Sequence, residues 1–225
     1  MAIWNAILTQ YPKLNPMLTT PVQNHTPHLL PIMEEFYSLQ GEGIQTGKPA
    51  YFLRIGGCNV GCLFCDVKES WNADKHSLTP VDEIVQRILK NPSKAVVVTG
   101  GEPMLYNLNY LCKELKNNDI QLFLETSGSE PISGQWDWIC VSPKRNHLPL
   151  LRTLSQAHEL KVVICNETDF AWAEENARHV NENCHLLLQP EWSTHKDMIP
   201  KIVAYILQHP KWRISLQSHK FMDIP

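Results

Sequence analysis

Short apolar runs recur along the chain from about residue 50 onwards, and they predict β-strands. Residues 95–98 read Ala-Val-Val-Val and residues 160–164 read Leu-Lys-Val-Val-Ile, so apolar and β-branched residues follow one another almost without interruption. Continuous rather than alternating apolar character is typical of strands that are covered on both faces. The runs lie at residues 50–55, 95–99, 121–126, 138–142, 160–164, 185–189 and 213–217.

Stretches with helical periodicity separate these runs. In the first of them, Thr79 offers a capping hydroxyl, Pro80 suits a first helical turn, and an apolar stripe begins at Ile84. Asp82 then lies near the positive end of the predicted helix dipole, which favours a carboxylate. Comparable patterns predict further helices at residues 105–115, 169–180 and 197–208.

Alternating strands and helices imply parallel strands that are joined by right-handed crossovers. Six or seven such strands form either an open, doubly wound sheet or an incomplete barrel, and the sequence pattern does not distinguish the two. In both arrangements, functional residues gather at the carboxyl ends of the strands. We therefore expect an α/β domain whose site lies at that edge of the sheet.

Residues 1–31 differ from the rest of the chain. They hold five prolines and a single charged residue, Lys13. Because proline removes an amide donor and breaks periodicity, no long helix or strand is expected there. We predict an irregular N-terminal arm followed by one domain over residues 32–225. The alternative is that the gene starts later, near Met33.

Composition and charge exclude several classes of protein. A net charge of −3 and an isoelectric point of about 6.4 do not favour wholesale binding to nucleic acid. The uninterrupted apolar runs are far shorter than the ~20 residues of a membrane span, and the N-terminus lacks a signal-peptide pattern. Seven cysteines, an odd number, favour metal or redox chemistry in a reducing cytoplasm over disulfides.

Three of the cysteines lie in the loop after the first predicted strand, with the spacing Cys-x3-Cys-x2-Cys: Cys58, Cys62 and Cys65. Gly56 and its neighbours let the backbone fold around a bulky ligand without a side-chain clash. Three thiolates on a four-iron cluster leave one iron open, as in a catalytic site. The alternative is a zinc site with His76 or another histidine as the fourth ligand.

The spacing, together with Phe64 before the last cysteine, resembles the signature of the radical S-adenosylmethionine superfamily. A second landmark of that superfamily, Thr-Gly-Gly-Glu-Pro at residues 99–103, follows the predicted strand at 95–99. The resemblance implies a partial TIM-like (β/α)6 barrel, a 4Fe-4S cluster on the three cysteines, and S-adenosylmethionine on the open iron. It also implies that a 5′-deoxyadenosyl radical forms and abstracts a hydrogen atom.

Two further segments narrow the resemblance: residues 34–43, Glu-Glu-Phe-Tyr-Ser-Leu-Gln-Gly-Glu-Gly, and the C-terminal residues 212–225. From residue 32 onwards, the chain resembles the 7-carboxy-7-deazaguanine synthase family of queuosine and other 7-deazapurine biosynthesis. This implies that 6-carboxy-5,6,7,8-tetrahydropterin loses a hydrogen at C6, contracts its ring and releases ammonia. It further implies a flavodoxin- or ferredoxin-type electron donor and a homodimer.

The resemblance also transfers roles to individual positions. The implied contacts to S-adenosylmethionine are Phe64, Asp66, Gly101, Ser142, Pro143, Lys144, Gln189, Pro190, Glu191 and Trp192. The implied contacts to the substrate are Leu39, Gln40, Gly41, Glu42, Arg54, Thr99, His219 and Pro225. The chemistry suits these roles, because Arg54 offers a bidentate fork to a carboxylate and Glu42 accepts N–H bonds.

One position departs from the family pattern. The family usually has a threonine directly after the Cys-Asp pair, where its oxygen helps to bind Mg²⁺, whereas this chain has Val67. Mg²⁺ prefers about six oxygen ligands, and valine supplies none. Asp66, the backbone or the substrate would have to hold the ion, so we expect weak or absent Mg²⁺ dependence.

Two rival functions share parts of this pattern. A sibling radical enzyme, such as a glycyl-radical activase, would carry the same cysteine loop and glycine pair. The Leu-Gln-Gly-Glu-Gly segment at residues 39–43 and the Gln-Ser-His-Lys tail at residues 217–220 argue against it. A zinc-binding interaction module is the second rival, and the content of iron or zinc distinguishes it.

Overall fold

One mixed sheet of nine strands organises residues 28–225, the residues that the computed structural model describes. The strands are β1 Leu29–Leu39, β2 Pro49–Ile55, β3 Ser77–Pro80, β4 Ala95–Gly100, β5 Gln121–Thr126, β6 Trp138–Val141, β7 Glu159–Ile164, β8 His185–Pro190 and β9 Trp212–Ile214. The α-helices are α1 Val81–Leu89, α2 Asn109–Lys116, α3 Leu151–Leu154, α4 Thr168–Ala177, α5 His195–Gln208 and α6 Ser218–Met222. None of the helices within this described range has the length and apolar character needed to cross a membrane.

The strands lie across the sheet in the order β3-β1-β2-β4-β5-β6-β7-β8-β9. Pairing is parallel from β2 through β9, and antiparallel only where β1 meets β2 and β3. The α/β class and the partial TIM-like barrel are confirmed, and the predicted strands match β2 and β4 to β9 closely. The parallel part has one strand more than a (β/α)6 barrel, because the short β9 extends it.

The two faces of the sheet bury different residues. Alternate residues such as Leu53 and Val98 join the large core beneath the helices. The residues between them point to the concave face, where Phe52, Val97 and Phe123 form a second apolar cluster. This cluster fills the amino-terminal half of the concave face, so the carboxyl half is left for polar side chains.

The sequence pattern does not predict strand β1. Two consecutive glutamates, Glu34 and Glu35, interrupt its alternation, and each of them is balanced by an arginine from a neighbouring element. Arg54 Nε donates to Glu34 Oε1 at 2.5 Å, and Arg87 Nη2 donates to Glu35 Oε2 at 2.6 Å. These pairs are long-range contacts, which a local pattern does not contain.

Strand β1 also bears on the predicted N-terminal arm. It begins at Leu29 and pairs there with β3, so residues 29–31 belong to the sheet. The remainder of the arm, residues 1–27, lies outside the described residues.

The capping role predicted for Thr79 is wrong, although the helix after it is confirmed. Thr79 belongs to β3, and its hydroxyl donates to the carbonyl of Ser77 at 3.2 Å. Pro80 occupies the position before α1, and no side chain caps that helix.

Candidate active site

The carboxyl ends of the parallel strands surround a cavity of about 520 Å³. Of the site residues predicted from the sequence, only Pro143 does not line it; Pro143 is buried between its lining neighbours in the chain. The predicted residues that do line it are Leu39, Gln40, Gly41, Glu42, Arg54, Cys58, Cys62, Phe64, Cys65, Asp66, Thr99, Gly101, Ser142, Lys144, Gln189, Pro190, Glu191, Trp192, His219 and Pro225.

The cysteine loop forms one wall of this cavity. It leaves the end of β2 and is tied to the following segment by two backbone bonds, from Gly57 N to Ser70 O at 2.6 Å and from Cys58 N to Trp71 O at 3.1 Å. Gly57 has a φ of +101°, a conformation that suits glycine. The loop thereby turns three half-buried free thiols, those of Cys58, Cys62 and Cys65, towards the cavity.

The donor set of this wall fits an iron–sulfur cluster better than a single metal ion. In the described part of the chain, no three His, Cys, Asp or Glu side chains converge closely enough for one ion. His76, the fourth ligand of the zinc alternative, has its Nε2 atom 2.9 Å from the carbonyl oxygen of Glu69. Burial raises the pKa of the Cys62 thiol. A bound cluster would therefore have to stabilise the thiolate directly.

The Gly-Gly segment at the end of β4 packs directly against the cysteine loop. Gly101 N donates to Ile55 O at 3.0 Å, and Glu102 N donates to Gly57 O at 2.9 Å. A Cβ atom on Gly101 would lie 2.2 Å from Gly57 O. The second glycine of the pair is thus required for the close approach of two backbones.

We expect Gly101→Ala to cost at least about 100-fold in activity, because its Cβ displaces the backbone beside Cys58. The measurement is turnover after reconstitution with iron and sulfide. Gly47→Ala is the control: Gly47 has a φ of +85° but open space around its Cβ position. It should cost only about 1–2 kcal/mol of stability and leave turnover near that of the wild type. Equal turnover in the two variants would contradict the prediction.

Glu102 follows the glycine pair and holds the next wall in place. It is fully buried and accepts bonds from the Thr126 hydroxyl at 2.6 Å and from Ser127 N at 2.8 Å. Its two oxygens are therefore used inside the protein. This carboxylate fixes β4 to the end of β5 and is not available to a ligand.

A second wall is made by the ends of β6 and β8. Lys144 Nζ donates to both oxygens of Ser142 at 2.6 Å, and burial lowers the pKa of this lysine. Glu191 accepts bonds from Ser193 N at 3.0 Å and Thr194 N at 3.2 Å, so it caps the turn that leads into α5. Trp192 lies beside it at the edge of the cavity.

The third wall carries the predicted substrate residues. Arg54 and Thr99 are register partners on β2 and β4, so they lie side by side. Glu42 follows β1, and its two oxygens accept bonds from Lys161 Nζ at 2.6 Å and from Gln217 Nε2 at 2.9 Å. The cavity is therefore lined by both a guanidinium and a half-buried carboxylate.

The C-terminal tail closes the cavity from outside. Ser218 N donates to Gly41 O at 2.8 Å, and the His219 ring lies where a Cβ on Gly41 would be. Lys220 Nζ reaches back to Asp66 Oδ2 at 3.0 Å, and the last residue, Pro225, accepts a bond from the Ser38 hydroxyl at 3.2 Å. Burial lowers the pKa of His219.

Known proteins share this arrangement. The radical SAM superfamily model matches residues 53–139. A 7-carboxy-7-deazaguanine synthase of Flavobacterium psychrophilum is 54% identical over 197 residues, which cover 88% of this chain and 93% of that protein. One of Synechocystis is 48% identical over 194 residues, covering 86% of this chain and 93% of that protein.

The chain belongs to the 7-carboxy-7-deazaguanine synthase family. The crystal structure of QueE from Escherichia coli superimposes with a TM-score of 0.78 at 30% identity, covering 85% of this chain and 95% of that one. Membership of the radical SAM superfamily brings a 4Fe-4S cluster and S-adenosylmethionine as cofactors.

The sequence analysis missed two charged residues in the cavity of this 7-carboxy-7-deazaguanine synthase family member. Lys161 lies in the middle of β7 and Glu125 near the end of β5, and both line the cavity. A signal was present in the sequence, because each is a single charge within an otherwise apolar run. Such a charge is costly to bury unless it is paired, and it therefore marks a site.

Proposed function

We propose that the chain converts 6-carboxy-5,6,7,8-tetrahydropterin to 7-carboxy-7-deazaguanine and ammonia, as a radical S-adenosylmethionine carbon–nitrogen lyase. The observation that carries the proposal is one cavity whose walls combine the cysteine loop and Gly101 with Arg54 and Glu42. A cluster ligand set and an anion-binding guanidinium thus open onto the same space.

Arg54 is suited to bind the carboxylate of the substrate. Its Nε is occupied by Glu34, and within residues 28–225 no other side chain bonds to its two terminal nitrogens. These nitrogens can form the paired, charge-assisted bonds that a carboxylate accepts. Its neighbour Thr99 adds a hydroxyl on the adjacent strand.

Glu42 and Gln40 are suited to the nitrogen-rich edge of a pterin. Burial raises the pKa of Glu42, but the Lys161 ammonium more than offsets this and lowers that pKa to about 2. The carboxylate is therefore an acceptor throughout the neutral range. A flat ring held between Glu42 and Arg54 has its orientation fixed at both ends.

The cysteine wall and the β6–β8 wall are suited to the cofactors. We propose that Cys58, Cys62 and Cys65 hold the cluster, and that residues such as Gly101, Ser142 and the 189–192 segment bind S-adenosylmethionine. When bound, these cofactors supply a carbon radical that removes hydrogen from the substrate. The C-terminal tail covers part of the cavity through its contacts with Gly41 and Asp66, and this cover would limit side reactions of such a species with water.

Incubation of reconstituted, reduced protein with S-adenosylmethionine and the carboxytetrahydropterin tests the proposed function. We expect 7-carboxy-7-deazaguanine and ammonia in equal amounts, because the substrate and product differ by ammonia alone. Deoxyadenosine without a deazapurine would favour a sibling radical enzyme. Zinc in place of iron in anaerobically purified protein would favour the binding module.

We further propose a flavodoxin- or ferredoxin-type electron donor, a homodimer and a cytoplasmic location. The free state of all seven cysteines supports a reducing location. The side chain of Leu63, between the proposed cluster ligands, is 88% exposed and supports binding of an electron donor there. An exposed apolar side chain beside a cluster suits a transient docking site. Support for a dimer comes from exposed apolar residues near one end of the sheet: Val203 and Leu207 on α5 and Ile214 on the edge strand β9. Light scattering at micromolar concentration tests it.

We predict that turnover depends little on Mg²⁺. Val67 lines the cavity at the family's threonine position without an oxygen, and Asp66 is already paired with Lys220 at 3.0 Å. Residues that offer one engaged carboxylate fit a six-coordinate ion poorly. Activity in excess chelator should remain within about twofold of activity in millimolar Mg²⁺. Val67→Thr restores the family's hydroxyl and should increase the stimulation of turnover by Mg²⁺. A large, saturable stimulation of the unchanged protein would contradict the prediction.

We also propose that the chain forms a single catalytic domain, that β1 extends this domain back to Leu29, and that residues 1–27 of the N-terminal arm are dispensable. Because Leu29 and Leu30 pair with β3, the truncation should end before them. A chain lacking residues 1–27 should keep turnover and thermal stability within the error of the assay. A chain lacking residues 1–31 should lose stability, since this truncation removes three of the four register pairs between β1 and β3. Loss of activity in the shorter truncation would show that the arm contributes to the site.

A further inference from the structure

Lys161 is a buried cation that the family resemblance did not assign to any role. Its side chain is 5% exposed, and it projects from β7 onto the cavity. Its Nζ atom lies 2.6 Å from Glu42 Oε2 and 2.9 Å from Glu125 Oε2. The two carboxylates come from different parts of the chain, one after β1 and one on β5, so the lysine joins two walls.

The second oxygen of each carboxylate is held as well. Gln217 Nε2 donates to Glu42 Oε1 at 2.9 Å, and Gln40 Nε2 donates to Glu125 Oε1 at 3.3 Å. The result is a continuous chain of five side chains: Gln40, Glu125, Lys161, Glu42 and Gln217. A polar network of this kind is rigid because each of its inner members, Glu125, Lys161 and Glu42, is held by two neighbours.

Both carboxylates are also available to a ligand. Both side chains line the cavity and are 18% and 21% exposed, whereas the side chain of Lys161 is only 5% exposed. An ionised carboxylate accepts about four hydrogen bonds in all, and the network uses about two on each. Free acceptor positions of two carboxylates therefore face the same space.

We propose that Lys161 is the positioning residue of the substrate site, holding Glu42 and Glu125 as a fixed pair of acceptors for adjacent N–H groups of a flat heterocycle. The inference rests on the proposed function, whose pterin carries such N–H groups on its 2-aminopyrimidinone ring. Lys161 itself does not touch the ligand. It sets the charge and spacing of the two groups that do.

The chemistry without Lys161 explains why the cation is needed. Two carboxylates in one buried site repel each other, and one of them then binds a proton. A protonated carboxyl group carries a hydrogen-bond donor on one of its oxygens. When this donor faces an N–H donor of the ligand, the two groups cannot form a hydrogen bond. S-adenosylmethionine should be affected less, because its predicted contacts at the ends of β6 and β8, the strands on either side of β7, do not include Glu42 or Glu125.

The direct test is the binding of the product, 7-carboxy-7-deazaguanine, as a probe to anaerobically reconstituted Lys161→Met, with S-adenosylmethionine present. We expect the dissociation constant of the probe to rise about 30-fold or more, since bonds to charged groups are lost. The dissociation constant of S-adenosylmethionine should rise much less than that of the probe, because neither Glu42 nor Glu125 is among its predicted contacts. Lys211→Met is the control, because Lys211 pairs with Glu174 at 2.6 Å on the outer surface; it should bind both compounds like the wild type.

Rescue separates positioning from a merely structural role. In Lys161→Ala, added ethylammonium should restore affinity for the probe by at least about tenfold, because it can occupy the vacated site between the carboxylates. If the apolar variants do not fold, Lys161→Gln, which keeps hydrogen-bond donation without the charge, takes their place in the same assay.

Several outcomes would overturn the assignment. Unchanged probe affinity in a folded Lys161 variant overturns it while leaving the proposed function intact. Equal loss of affinity for both compounds, without rescue by ethylammonium, shows a structural role instead. A wild-type protein that binds S-adenosylmethionine but not the probe overturns the proposed function, and this assignment with it.

Discussion

Replacing Cys62 by alanine should reduce product formation at least about 1000-fold, because two thiolates cannot retain an open four-iron cluster in this loop. The thiol lines the cavity together with Cys58 and Cys65, and the same loop packs against the Gly101 backbone. Iron bound after anaerobic reconstitution should fall well below the wild-type content. The visible absorbance of the cluster should fall in parallel.

Cys184→Ala is the matched control. Cys184 packs against the core beneath the helices, and burial raises the pKa of its thiol to about 12, so this thiol is unreactive at neutral pH. Its loss should leave iron content and turnover near the wild-type values. A Cys62→Ala protein with full iron content and turnover would contradict the assignment of the ligands. Parallel losses in both variants would instead point to a general effect on folding.

Replacing Arg54 by methionine should weaken the affinity for the substrate by about 10- to 150-fold, the range expected for losing hydrogen bonds to a charged carboxylate. The side chain of Arg54 is 19% exposed and lines the cavity, so water replaces it only in part. Binding of S-adenosylmethionine should change little. The measurement is the dissociation constant of the carboxylated ligand against that of an analogue without its carboxylate.

The analogue makes this prediction specific. The analogue should bind the wild-type protein and Arg54→Met equally weakly. Because the analogue has no carboxylate, neither complex contains a bond between a ligand carboxylate and the Arg54 guanidinium. Glu34→Gln is the control variant, because Glu34 holds Arg54 from the exposed side and its own side chain is 44% exposed. It keeps the guanidinium and should cost less than about fivefold. A larger effect from Glu34→Gln than from Arg54→Met would contradict the role of Arg54.

Much of the fold follows from local pattern alone. The apolar runs at β4 and β5 are continuous because both of their faces are covered, by the helices and by the concave cluster. The cysteine spacing and the Gly-Gly pair are likewise local, and the structure brings them together through Gly101 and Gly57. These features were predicted from the sequence because each is determined by its immediate neighbours.

Features that depend on distant partners were not predicted. Strand β1 carries two adjacent glutamates that make sense only beside Arg54 and Arg87. Lys161 is explained only by Glu42, 119 positions away, and by Glu125, 36 positions away. Such pairs have no period in the sequence. The choice between an open sheet and a partial barrel was of the same kind, since it depends on how strands far apart in sequence are paired.

The most direct test of the central claim is the fate of the hydrogen at C6 of 6-carboxy-5,6,7,8-tetrahydropterin. The protein, reconstituted and reduced under anaerobic conditions, is given substrate deuterated at C6 together with S-adenosylmethionine. Mass spectrometry then follows deuterium in the adenosine products and nitrogen released as ammonia. We expect deuterium in 5′-deoxyadenosine or recovered S-adenosylmethionine, together with 7-carboxy-7-deazaguanine. Formation of the deazapurine with no deuterium transferred, or transfer with no deazapurine, would contradict the account.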